Sequence, residues 1–98
     1  MAIRVIYKYV LKVATNQEIQ MPANAQVLSV QGQNNDAVMW CLCDKADDIV
    51  PRTFTVITTG DSFNADYCEY LGTFQTDGGE FVGHVFEVLE AAKAWRPG

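Results

Sequence analysis

The alternation of hydrophobic and polar residues along this chain predicts β-strands over most of its length. From Ile3 to Val13 every second residue is apolar, and the residues between them include Arg4, Lys8 and Lys12. A period of two is typical of a strand with one face on the core and the other partly in water. The segment therefore predicts a long strand that carries a basic stripe, as expected of a solvated edge face.

Two apolar-rich runs, Val27–Gln33 and Ala37–Cys43, organise the rest of the chain. They are joined by Asn34, Asn35 and Asp36, residue types that tolerate turn backbone angles. Every residue of the second run is apolar, which is typical of a strand covered on both faces. We therefore expect Ala37–Cys43 to be a central strand, with Val27–Gln33 as its antiparallel neighbour.

Four further segments have the composition of strands: Glu18–Met21, Arg52–Thr58, Cys68–Thr76 and Glu80–Val88. The last two are separated by Asp77-Gly78-Gly79, the strongest hairpin signal in the chain, because glycine allows the positive φ angles of tight turns. Within them, Gly72 and Gly83 predict a bulge or a close approach of the backbone. The segment between Gly60 and Cys68 is predicted to be irregular.

The periodicity changes at the end of the chain. Val88, Leu89, Ala92 and Trp95 are spaced as on a helix, so residues 88–96 predict a short helical tail. Two dockings for this tail stay open, one on its own sheet and one on a second subunit. The whole pattern predicts one all-β domain over residues 1–98. Its fold is an antiparallel β-sandwich or strongly bent sheet of six to seven strands with a short C-terminal helix.

Composition narrows the class of protein. The 98 residues are 49% hydrophobic and 19% charged, with a net charge of -5. An acidic chain does not coat a phosphate backbone, so no direct binding of nucleic acid is expected. The odd set of three cysteines fits a reducing compartment. With no signal-peptide pattern and no apolar run of about 20 residues, we expect a cytoplasmic protein outside the membrane.

Candidate chemistry rests first on His84, the single histidine. It is either a general base for one of the cysteines or a strand histidine bonded to a backbone carbonyl. The second reading is favoured because no flanking motif surrounds Cys41, Cys43 or Cys68. Cys41 and Cys43 are interpreted as small buried thiols, because metal ligation needs two further ligands at a recognisable spacing. Neither a metal site nor a cofactor is predicted.

Arg52 opens a threonine-rich strand, where its guanidinium can bind a carboxylate or a phosphate through two parallel bonds. It can equally pair with Asp47 or Asp48 across its own loop, and this internal pair is favoured. Thr58 and Thr59, followed by Gly60, resemble a ligand-cradling loop only weakly. A plain strand-ending turn is the favoured interpretation.

Four stretches, IYKYVL, IQMPANAQVLSVQGQNNDAVMWCLCD, RTFTVITTGD and EYLGTFQTDGGEFVGHVFE, together resemble a family of small phage and prophage proteins of unknown function. The resemblance covers nearly the whole chain up to Glu87. It implies an accessory protein encoded by a phage and made in the bacterial cytoplasm. The positions that belong to the family pattern are Trp40, Arg52, Gly60, Gly79, His84 and Glu87. Of these, Trp40, Gly60 and Gly79 have ready structural explanations, and Arg52, His84 and Glu87 are the positions to test.

Three functions are compared on this basis. The leading hypothesis is a phage-derived accessory protein that acts without catalysis by binding a host or defence protein, or its own copies as a homo-oligomer. Its contact surface would be an apolar patch of Tyr7, Tyr9 and Trp95. The first alternative is a protein that binds or sequesters a small nucleotide signal, and its binding residues would be Arg52, Thr58, Thr59, His84 and Glu87. The last is a hydrolase that uses His84 and a carboxylate.

Overall fold

The computed structural model describes residues 3–89 and folds them into seven antiparallel strands in two sheets. The strands are β1 (Arg4–Leu11), β2 (Gln17–Pro22), β3 (Gln26–Gln33), β4 (Asp36–Asp44), β5 (Ile49–Thr58), β6 (Cys68–Thr76) and β7 (Phe81–Val88). A single 3-10 turn, Asp77–Gly79, joins β6 to β7, and residues 3–89 contain no α-helix. The all-β prediction is confirmed. The predicted helical tail lies outside the described residues from position 90 onward, and Val88 itself ends β7.

The first sheet has the order β1-β4-β3, so the predicted hairpin and its central strand are confirmed. Asn34 and Asn35 form the turn with φ angles of 51° and 64°, the left-handed region that asparagine tolerates. On β4, Met39, Cys41 and Cys43 are completely buried. β4 is central because both of its edges are paired, one with β1 and one with β3. The expected cover on both faces is met only in part, since Trp40 and Leu42 on the opposite face are half-buried.

The second sheet has the order β2-β5-β7-β6. Its longest strand, β5, begins at Ile49 rather than at the predicted Arg52, and it includes Pro51. Proline is tolerated there because β7 pairs with β5 only from Thr53 onward, so the first part of β5 has a partner on one side only.

Residues of both sheets contribute to one hydrophobic core. Its largest fully buried side chains include Leu11, Met21, Met39, Cys41, Cys43, Phe54 and Val85. The interpretation of Cys41 and Cys43 as buried thiols is confirmed, and both are free. Burial raises the pKa of Cys41 to about 11, with the neighbouring Cys43 as a second cause. The thiols therefore behave as small apolar side chains.

Strand β3 of the first sheet lies against β6 of the second at two glycines. A Cβ on Gly32 would overlap the carbonyl oxygen of Gln75, and a Cβ on Gly72 would lie 2.8 Å from the Cβ of Val30. Gly72 also follows a bulge in the pairing of β6 with β7. The predicted close approach at Gly72 is confirmed, and it is the absence of side chains that lets the two strands come this close.

Residues 3–89 contain no helix that is long and apolar enough to cross a membrane.

Candidate functional site

The structure divides the predicted binding residues between two places on the second sheet. Arg52 and Glu87 lie at one end of β5 and β7, and Thr59 and His84 lie at the other. Arg52 and Thr58 are separated by six residues of extended strand, or about 20 Å. Within one copy of the chain, Arg52 therefore does not share a pocket with Thr58, Thr59 and His84. The pocket that the ligand-binding alternative places between subunits stays a prediction.

Arg52 forms a bidentate ion pair with Glu87. Its Nε donates to Glu87 Oε2 and its Nη2 donates to Oε1, both at 2.7 Å. Its Nη1 donates to the carbonyl oxygen of Ala25 at 2.6 Å. The side chains are only 17% and 13% exposed. The structure confirms that Arg52 pairs with a carboxylate of its own chain. The expected partners, Asp47 and Asp48, are wrong, because the partner is Glu87.

The register of β5 and β7 explains the choice of partner. Phe54 is paired with Glu87, so Arg52 lies diagonally across from that carboxylate on the same face of the sheet. Asp47 is engaged elsewhere, since its Oδ2 accepts from the backbone nitrogen of Asn24. The hydrogen bonds with Glu87 raise the pKa of Arg52, so the guanidinium stays charged. The pair joins two strands at the rim of the core, and three of the five guanidinium N–H groups have partners.

At the other end of the sheet, His84 is the centre of a chain of side-chain hydrogen bonds. Its Nε2 lies 2.8 Å from Thr59 Oγ1, and its Nδ1 lies 3.0 Å from Thr73 Oγ1. Thr73 Oγ1 is in turn 2.6 Å from the hydroxyl of Tyr70. Since a neutral imidazole has one donor and one acceptor nitrogen, His84 donates to one threonine and accepts from the other. The expected backbone carbonyl partner is wrong, because two threonine hydroxyls satisfy the ring.

No cysteine takes part in this series of hydrogen bonds. Cys41 and Cys43 are buried in the core, and Cys68 is paired with Val88, whereas His84 is paired with Thr73. In the described part of the chain no three His, Cys, Asp or Glu side chains converge as a set of metal ligands.

An aromatic cluster adjoins the histidine. The ring of Phe86 lies 4.9 Å from that of Phe63 and 5.5 Å from that of Tyr70, measured between centroids. Tyr70 is 56% exposed and Phe63 is 39% exposed. We name this surface the aromatic–histidine face, and its members are Thr59, Phe63, Tyr70, Thr73, His84 and Phe86.

The sequence reasoning missed this cluster. Tyr70 and Phe86 are directly opposite each other on β6 and β7. The predicted turn at 77–79 fixes the register of these two strands, so it could have been used to predict this pair. Phe63 comes from the irregular segment after Gly60, where no periodicity indicates its direction. The chemistry of the cluster is that of a surface with large apolar rings and a hydrogen-bonded polar margin, which suits recognition of another molecule.

The predicted contact patch at Tyr7, Tyr9 and Trp95 has a different position. Tyr7 and Tyr9 lie on the first sheet with ring centroids 6.4 Å apart. Tyr7 is 37% exposed, whereas Tyr9 packs against the core. Burial raises the pKa of Tyr9 to about 12, with Cys43 as the next cause. Trp95 lies outside the described residues.

The sequence model of a family described as "Domain of unknown function (DUF7352)" matches residues 2–96. No curated protein and no solved structure gives a significant match.

Proposed function

The chain belongs to the DUF7352 family, whose function is unknown, and we propose that it acts without catalysis by binding a protein partner through the aromatic–histidine face. The partner in this proposal is a bacterial host or defence protein, and the chain is an accessory protein encoded by a phage and located in the bacterial cytoplasm. The resemblance of its sequence to small phage and prophage proteins supports this origin.

The exposed ring of Tyr70 is the observation that carries the proposal. Large aromatic side chains dominate the energetics of protein interfaces, and tyrosine combines an apolar ring with a polar end. Here the hydroxyl of Tyr70 is held by Thr73, and the ring packs against Phe86. A side chain held in one orientation before binding loses less conformational entropy when a partner covers it. The face therefore has the features of an interface centre.

The hydrogen bonds of His84 and Arg52 support binding over the two alternatives. Both ring nitrogens of His84 are committed to threonine hydroxyls, so the ring serves to position Tyr70 through Thr73. Binding of a nucleotide phosphate by Arg52 would require its pair with Glu87 to open. That step would leave the mostly buried Glu87 carboxylate without its partner, at a cost of about 3–5 kcal/mol.

We further propose that the two sheets pack face to face as a sandwich. One core supports this arrangement, because it contains residues of both sheets: Met39 and Cys41 from β4, and Phe54 and Val85 from the second sheet. Nuclear Overhauser contacts between the Met39 methyl and the Phe54 ring test it, and contacts confined to the β3–β6 junction would favour a bent sheet instead.

Capture of bacterial proteins tests the binding function. Immobilised wild type, Tyr70→Ala and Tyr7→Ala are exposed to the same lysate, and bound proteins are quantified by mass spectrometry. Tyr7→Ala is the matched control, since it removes an exposed tyrosine from the other sheet. We expect a specific protein that wild type and Tyr7→Ala retain equally and that Tyr70→Ala loses by about thirtyfold, the effect of a hot-spot residue worth about 2 kcal/mol.

Two outcomes would contradict the proposal. Loss of capture in Tyr7→Ala alone would move the interface to the first sheet. Capture of the same proteins at the same level by all three variants would remove the aromatic–histidine face from any role in recognition. Circular dichroism of each variant confirms that it is folded.

A further inference from the structure

A groove of about 430 Å³ lies on the outer face of the second sheet, beside the aromatic–histidine face. Thr55 and Ile57 form its floor, and they alternate along β5 with the inward-facing Phe54 and Val56. Both floor residues are less than a tenth exposed, at 5% and 8%. The walls are formed by Asn16 on one side and by Phe63, Asp66 and Tyr67 on the other. We name it the Asp66 groove.

Two of its wall residues have unusual backbone angles. Tyr67 has a φ angle of 64° and Asn16 one of 47°. Asparagine tolerates this left-handed region, but a bulky residue such as tyrosine rarely adopts it, and such outliers cluster at binding sites. A hydrogen bond from outside the turn fixes Tyr67 in this conformation, since its carbonyl oxygen accepts from the backbone nitrogen of Leu89 at 2.9 Å. The fold thus maintains a strained residue at the lip of the groove.

The turn that carries Asp66 is also fixed. The backbone nitrogen of Asp66 donates to Asn64 Oδ1 at 3.0 Å, and that of Cys68 donates to the carbonyl oxygen of Ala65 at 3.1 Å. Within residues 3–89 the Asp66 carboxylate forms no ion pair. Burial, followed by the charge of Asp66, raises the pKa of Cys68, another residue that lines the groove. The carboxylate is therefore close enough for its charge to act at the groove.

We propose that the Asp66 groove binds an alkylammonium or alkylguanidinium group, as carried by free amines and by the side chains of lysine and arginine. The carboxylate supplies the counter-charge, and Phe63 and Tyr67, which also line the groove, provide aromatic rings of the kind that attract cations through their π electrons. Ile57 and Val88, the aliphatic residues of the lining, cover the aliphatic stem, as protein surfaces do for lysine and arginine. The net charge of -5 favours approach of a cation. This site does not depend on the proposed protein partner.

Nuclear magnetic resonance titration of the full chain tests the site. The probes are n-butylammonium and n-butylguanidinium, with n-butanol as the neutral control. We expect saturable shifts of the amide signals of Asn16, Asp66 and Tyr67 with both cations. Asp66→Asn keeps the shape of the side chain and removes its charge, so it should weaken binding of both cations at least tenfold. Asp61→Asn, a matched change of an exposed carboxylate that does not line the groove, should leave it unchanged.

The outcomes separate this site from the proposed function and identify the source of the cation. Tyr70→Ala should bind n-butylammonium as wild type does, even if it captures no protein. Tighter binding of a capped lysine peptide than of cadaverine would assign the groove to a protein side chain, and the reverse order would assign it to a free diamine. Equal shifts with n-butanol, no saturable shifts, or unchanged binding in Asp66→Asn would each overturn the proposal.

Discussion

Arg52 and Glu87, 35 residues apart in the sequence, are joined by two parallel 2.7 Å contacts, the one ion pair within residues 3–89. They come from adjacent strands of one sheet, at the rim of the core. The same guanidinium bonds to the carbonyl oxygen of Ala25, which precedes β3 of the other sheet. One side chain therefore connects three segments of the chain, and this gives Arg52 and Glu87 a structural role.

The first prediction concerns this pair. Arg52→Met should lower the free energy of unfolding by about 3 kcal/mol, because it leaves the mostly buried Glu87 carboxylate without a partner. Urea unfolding measures the change, with an unaltered dependence on urea concentration as the sign of a simple loss of stability.

The double variant Arg52→Met/Glu87→Leu is the control for that experiment. It removes both charges, so it should be more stable than Arg52→Met alone. A double variant that is less stable than the single one would show that the stability comes from packing of the side chains rather than from the charges.

The second prediction concerns the contact between β3 and β6. Gly72→Ala should cost about 1–3 kcal/mol, because the new methyl group meets the side chain of Val30. Adding Val30→Ala should recover part of this cost, so the effects of the two changes should not add. Gly32→Ala meets the backbone oxygen of Gln75, and truncating a side chain gives no relief there. Urea unfolding measures the free energy of unfolding of each variant. Additive effects of Gly72→Ala and Val30→Ala would contradict the predicted contact between these residues.

The third prediction is a loss of stability at alkaline pH. The pKa of Cys41 rises from 9.0 to about 11 on folding, so the folded protein holds its proton more tightly than the unfolded chain. Its contribution is complete below pH 9.0 and is lost as the pH rises towards about 11. Within this window the free energy of unfolding should fall by about 1.4 kcal/mol for each pH unit.

Cys41→Ala separates this effect from other ionisations. The variant should be less stable overall, but its stability should fall less steeply between pH 9.0 and 10.0, before Tyr9 begins to contribute. Urea unfolding at several pH values measures the slope. An identical slope in wild type and variant would show that Cys41 ionises equally in both states.

The fourth prediction concerns the reactivity of the thiols. Iodoacetamide at about pH 8 should modify Cys68 first in the folded protein, because thiolate formation requires access to solvent. Cys41 and Cys43 should react only after unfolding, since both are completely buried. Intact-mass and peptide mass spectrometry identify the modified residue. Early modification of Cys43 would contradict the buried position of β4.

Local patterns were sufficient to predict the strands and both hairpins. The bounds of Cys68–Thr76 agree with those of β6, whose end is marked by the turn residues Asp77-Gly78-Gly79. The Asn34–Asn35 turn and the glycine turn at 78–79 are also local properties of the backbone. The start of β5 was missed because Pro51 normally indicates a break, and only the absence of β7 beside it makes proline acceptable.

The candidate site depends on contacts that no local pattern contains. Arg52 finds Glu87 through the register of β5 with β7, and the sequence alone could suggest only the nearby Asp47 and Asp48. His84 finds Thr59 and Thr73 across two different strand neighbours. Phe63 and Asp66 belong to an irregular segment, whose course is set by the sheet beneath it.

The contact of Gly32 with Gln75 also has a consequence for synthesis of the chain. Each hairpin can form from neighbouring residues, but β3 cannot meet β6 until Thr76 has been made. At roughly 5–20 residues per second, the outer edge of β3 stays uncovered for a few seconds before β6 can lie against it. During that time this edge can pair with the same strand of another nascent chain. The close approach at the two glycines is therefore the contact by which a ribosome-bound chain covers this edge.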